Sequence, residues 1–129
     1  MNKIIVEVSI GELLDKISIL EIKQGKIKDP EKLKFINNEY SILKNQLEKN
    51  VKSDEKLYNF YQSLKEINAK LWIIEDDKRQ CEKNKDFGEK FIKLSRDVHF
   101  LNDDRAKIKL EINNHTGSVI KEIKEYTNY

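Results

Sequence analysis

Arginine is scarce in this chain. Of its 25 basic residues only Arg79, Arg96 and Arg105 carry a guanidinium. Lysine cannot copy that planar group where a carboxylate or phosphate is held by two parallel hydrogen bonds, so these three positions are where anion recognition is sought first. They do not stand alone. Folding the chain as a hairpin about residue 86 brings Arg96 opposite Asp76 with Glu75 beside it. The same fold places Lys78 and Arg79 one turn away, Glu82 one turn after Lys78, and Arg105 near Ile67 and Asn68. Two readings follow. One is an ion-pair network that sets the register of the hairpin, since single charges at seam positions fix register at some cost in stability. The other is a basic pocket in a helical bundle that holds a small anion. Lys78, Arg79, Arg96 and Arg105 would then supply the positive charge, and Glu75 or Asp76 would accept a proton or orient the ligand. Neither reading assigns a catalytic residue.

Other chemistries lack their residues. Neither His99 nor His115 has an acidic residue three positions before it, so the paired Glu-x-x-His motifs of a di-iron bundle are missing. One cysteine and two distant histidines do not make a zinc site, and no metal or cofactor is expected. Cys81 continues an apolar seam and reads as a small core residue. His99 reads as a packed or surface histidine, and His115 as a residue favoured near a helix C-terminus. The chain contains no nucleophile elbow, phosphate-binding loop or dinucleotide fingerprint.

Composition says what must position these groups. The 129 residues are 38% hydrophobic and 37% charged, with four Gly and one Pro. That is the profile of one domain built from long helices and few turns. The 25 basic and 23 acidic residues are interleaved along the chain, as on solvated helix faces. Nucleic-acid binding, which needs base clustered on one face, is disfavoured. No apolar run approaches membrane-spanning length and the N-terminus is too short for a signal peptide, so a soluble cytoplasmic protein is expected. A lone cysteine suits a reducing compartment.

The apolar spacing predicts an all-α antiparallel bundle of about four helices, treated as a single domain over 1–129. Residues 3–8, K-I-I-V-E-V, form an extended segment and a candidate short strand. Ser9 and Glu12 make a capping box that opens a helix over 10–27, with Ile10, Leu13, Leu14, Ile17 and Leu20 as its stripe. Asp29-Pro30 closes that segment and caps a second helix over 30–50. The third, over 54–84, has the longest seam: Leu57, Phe60, Leu64, Ile67, Leu71 and Ile74, broken by Lys78. The fourth, over 88–116, runs Phe91, Leu94, Val98, Leu101, Ile108 and Ile112, broken by Arg105, and Gly117 stops it. A short turn joins helices three and four, so they are expected to pack antiparallel with coiled-coil-like geometry. The tail 118–129 reads as a further helical piece or an arm.

Several stretches resemble a small bacterial family of helical proteins with no assigned function. They are S-I-G-E-L-L-D-K-I-S-I-L-E-I-K at 9–23, K-D-P-E-K-L at 28–33, L-W-x-I-E-D at 71–76, N-D-D-R-A-K-I-K-x-E-I-N at 102–113 and G-S-x-I-K-E-x-K-x-Y at 117–126. The resemblance spans nearly the whole chain and implies a complete, free-standing unit, but it brings no ligand and no activity. The polar residues inside those stretches include Glu12, Asp15, Lys16, Glu21, Lys23, Glu75, Asp76, Arg79, Asn102, Asp104 and Arg105.

The leading expectation is a non-catalytic helical interaction or scaffolding module that self-associates, because helices three and four are longer than one and two and leave seam uncovered. Its partner would be a second copy or another helical protein, with no membrane involved. The alternative is a small helical enzyme or metabolite-binding protein that clamps a carboxylate or phosphate with Arg79, Arg96 and Arg105.

Overall fold

A computed structural model describes residues 2–129. Four helices follow in order: α1 (Ile10–Lys26), α2 (Pro30–Asn50), α3 (Glu55–Lys83) and α4 (Glu89–Thr116). No strand occurs among the described residues. Residues 2–8 are exposed and form neither helix nor strand, so the candidate strand does not form. An isolated strand has no ladder partner for its backbone groups and leaves them to water.

Each of the first three helices starts where a side chain can take up its free backbone N–H groups. Ser9 accepts from the N–H of Glu12, Asp29 from Glu31 ahead of Pro30 at the first turn, and Asp54 from Leu57. At the C-terminal end of α4, Gly117 adopts the left-handed conformation (φ 66°) that lets the chain leave the helix. The turn between α3 and α4 likewise holds Lys85 at φ 54°.

The two long helices form an antiparallel hairpin, and α1 packs against both of them. The backbone of α2 comes close to α1 alone. The core, Leu14, Leu57, Leu64 and Ile112, sits at the open end of the hairpin. Ile10, Leu47, Val51, Phe60 and Ile108 pack around it. At 3.6 residues per turn, the buried residues of α1 other than the core Leu14 fall into two stripes on nearly opposite sides. Gly11, Asp15, Ser18 and Ile22 make one; Leu13, Ile17 and Leu20 make the other. The first bonds to α3 and α4, so the second is left to the side that α2 covers.

The tail forms no further helix and returns along α4 as an arm. Glu122 reaches Lys109 at 3.3 Å, and the Tyr129 hydroxyl donates to Asp103, its ring edge-on to Phe100. Helix α1 is about 26 Å long against about 44 Å for α3, at 1.5 Å per residue. Since Gly11 lies against Asn113 near the open end, the closed end of the hairpin extends past α1. Between residues 72 and 108, Cys81 alone is buried.

Candidate functional site

At the centre of the molecule lies a carboxylate, Asp15, whose side chain is only 1% exposed. A buried anion is costly unless cations and donors surround it. Asp15 has both. Arg105 Nε donates to its Oδ1 at 3.0 Å, and Arg105 Nη2 donates to Oδ2 in a two-pronged pair. Asn68 Nδ2 adds a bond to Oδ1 at 2.8 Å, and Lys109 Nζ stands 3.8 Å from Oδ2. Asn68 is itself held by the hydroxyl of Ser18, 2.8 Å away, and that hydroxyl donates to the backbone carbonyl of Asp15. One residue from α3 and two from α4 therefore converge on one turn of α1.

A second layer ties the N-terminus of α1 to the C-terminal part of α4. Lys109 Nζ lies 2.6 Å from Glu12 and 3.3 Å from Glu122, so it bridges α1 to the tail. Asn113 Oδ1 accepts from the N–H of Gly11 at 2.7 Å, and Ser118 Oγ from that of Ile10 at 3.1 Å. With Ser9 serving Glu12, the first three N–H groups of α1 all have side-chain acceptors. Glycine is required at position 11 by space: a Cβ there would stand 2.6 Å from the backbone oxygen of Lys109.

These contacts shift the cations. The hydrogen bond to Asp15 raises the pKa of Arg105 against the opposing effect of burial, with the charges of Asp15, Glu12 and Glu122 adding to the rise. Burial pulls Lys109 down, but its bond to Glu12 and the three nearby carboxylates outweigh that, and its net shift is upward. Both stay charged and hold the helices together.

Next to this network a groove of about 310 Å³ opens between α1 and the hairpin. Ile19 of α1, Arg105 of α4 and Asn68, Leu71, Trp72, Glu75, Asp76 and Arg79 of α3 line it. The α3 residues share a face because they recur at helical spacing. Four of the six candidate residues thus meet in one place: Glu75, Asp76, Arg79 and Arg105. Lys78 is half-buried and Arg96 exposed; neither lines the groove nor makes an ion pair among the described residues. Arg96 and Asp76 therefore do not form the pair expected across the hairpin. Arg105 does stand beside Asn68, and both turn toward α1 rather than lock the hairpin to itself.

The remaining candidates have plain surroundings. Cys81 is buried and unpaired with any other cysteine. His99 is exposed. His115 lies 2.9 Å from Asp54, the cap of α3, with its ring edge-on to Phe60. The Leu57 N–H holds the Asp54 carboxyl below its ordinary pKa; desolvation opposes it, and the His115 ring adds to the lowering. No group of three or more metal-binding side chains occurs among the described residues, and no helix there is long and apolar enough to cross a membrane.

Spacing alone missed Asp15 as the partner of Arg105 and Asn68, Ser18 as the second partner of Asn68, and Lys109 and Asn113 as the partners of Glu12 and Gly11. A signal existed. Gly11, Asp15 and Ser18 recur at helical spacing with Ile22, as a buried polar stripe would.

Comparison with known proteins agrees with the resemblance and adds no activity. Residues 4–129 match the model of a family of unknown function, DUF6165. No curated protein and no solved structure matches. The chain belongs to the DUF6165 family.

Proposed function

For this member of a family without an assigned activity, we propose a helical interaction module that self-associates through the closed end of the α3–α4 hairpin. One observation carries the reading: from residue 72 to residue 108 only Cys81 is buried, although apolar residues continue along both helices. Ile73, Phe87 and Ile92 are each about half exposed, and Trp72, Phe91, Leu94, Val98 and Leu101 are only partly covered. Two helices alone cannot enclose a seam of that length. Two such hairpins, one from each copy, make a four-helix arrangement with an interior.

Charge supports a second copy as the occupant. Between Glu75 and Asp97 seven acidic and seven basic residues alternate, so the surface carries no net charge to repel its twin. The Asp15 network gives this role its scaffold, because it holds the open end rigid while the closed end projects. Light scattering across a concentration series tests the proposal. The expected result is a mass of two chains or a larger multiple of 15.3 kDa, falling toward one chain on dilution. A single-chain mass throughout the series overturns it.

A further inference from the structure

The groove beside Trp72 has the make-up of a ligand site, at the edge of the apolar surface proposed above for self-association. Its apolar lining comes from Ile19, Leu71 and the half-buried Trp72. Its rim holds charges of both signs that no neighbour takes up. Glu75, Asp76 and Arg79 line it and form no ion pair among the described residues. Arg105 spends Nε and Nη2 on Asp15 and leaves Nη1 free. Asn68 is buried and donates twice through Nδ2, to Asp15 and to Ser18. Its side-chain carbonyl oxygen receives no donor among the described residues.

These groups sort the ligand by charge. A plain carboxylate or phosphate would find Arg79 and Arg105 but would also face Glu75 and Asp76, while Asp15 already offsets Arg105. A plain amine would find Glu75, Asp76 and the Asn68 oxygen but would face the two guanidiniums. A molecule that carries both charges close together satisfies both sets at once. A volume of about 310 Å³ is at the small end of ligand pockets and suits a molecule of about a dozen heavy atoms. We infer that the groove binds a small zwitterion with an apolar side chain, of the class of the apolar α-amino acids. The carboxylate lies on Arg79 and Arg105 Nη1, the ammonium on Glu75, Asp76 and Asn68, and the side chain against Trp72 and Leu71.

Trp72 is the chain's one tryptophan, so its fluorescence reads the groove directly. The intact protein is titrated with L-phenylalanine and L-leucine, and with phenylacetate and phenethylamine as one-charge analogues. The proposal predicts a saturable change for at least one amino acid and at least tenfold weaker binding of both analogues. It also predicts at least tenfold weaker binding in Arg79→Gln and Asp76→Asn, two exposed positions whose variants keep the parent's circular dichroism. Mass measured in the same samples separates this result from the fate of the self-association reading. The inference is overturned by no saturable change with either amino acid. It is equally overturned by analogues that bind as well as the amino acids, or by full binding in Arg79→Gln.

Discussion

Arg105 interrupts the apolar seam of α4 because the chain needs a cation opposite Asp15, the most deeply buried charge among the described residues. Replacing Arg105 with Met leaves that carboxylate only Asn68 and the more distant Lys109, and losing one partner of a buried pair costs about 3–5 kcal/mol. Urea unfolding should show that loss. The double variant Asp15→Leu/Arg105→Met should recover much of it, since no unpaired charge remains. Equal stability of Arg105→Met and parent would remove the network from the account of the fold. A second residue points the other way. The Tyr61 hydroxyl is buried with no hydrogen-bond partner among the described residues. An unsatisfied buried hydroxyl is a cost, so Tyr61→Phe should hold or raise stability by about 1 kcal/mol; a clear loss would reveal a partner. The sequence marked Arg105 as anomalous because a charge broke an apolar period. Asp15 recurs at helical spacing with Gly11 and Ser18, but an acid between Leu14 and Lys16 looks like any solvated helix position until a second packed face is known.

At the scale of elements, the four helices were legible because their periods, caps and breakers agree, down to Ser9, Pro30 and Gly117. What spacing could not supply was the orientation of α1. Sandwiched between α2 and the hairpin, it has two buried faces, and one of them is polar. Its docking is tightest at Gly11, and Gly11→Ala should cost about 1–3 kcal/mol, because the contacted atom is backbone and cannot swing aside. Thermal melts check this. Lys109 ties α1, α4 and the tail, and its raised pKa fixes the sign of a pH effect. Its contribution is fully present below the unfolded value of 10.5 and is lost as pH rises through the higher folded value. Parent and Lys109→Met should therefore differ most near neutral pH and converge as pH climbs past about 10.5 in urea-midpoint measurements. A constant difference across that range would mean that the lysine acts through its packing alone. The segment 2–8 was open in the sequence for a simple reason. A β-branched run states a backbone preference, and pairing depends on a neighbour that the chain does not place beside it.

The whole molecule divides into a closed base and a projecting hairpin tip. The base holds the core and the Asp15 network; the tip continues the apolar pattern without enclosing it. On the proposed self-association, the tip is the place where a charge does most damage to assembly and least to folding. Ile92 lies there, more than half exposed and away from the Trp72 groove. Phe35 on α2 is more exposed still, at 75%, but belongs to the other side of the base. The most direct measurement is the sedimentation mass of three proteins at one concentration: parent, Ile92→Glu and Phe35→Glu. The account predicts that parent and Phe35→Glu sediment as the same multimer, whereas Ile92→Glu becomes a folded single chain with unchanged helicity. A parent that is already a single chain, or an Ile92→Glu variant that keeps the parent's mass, would contradict it.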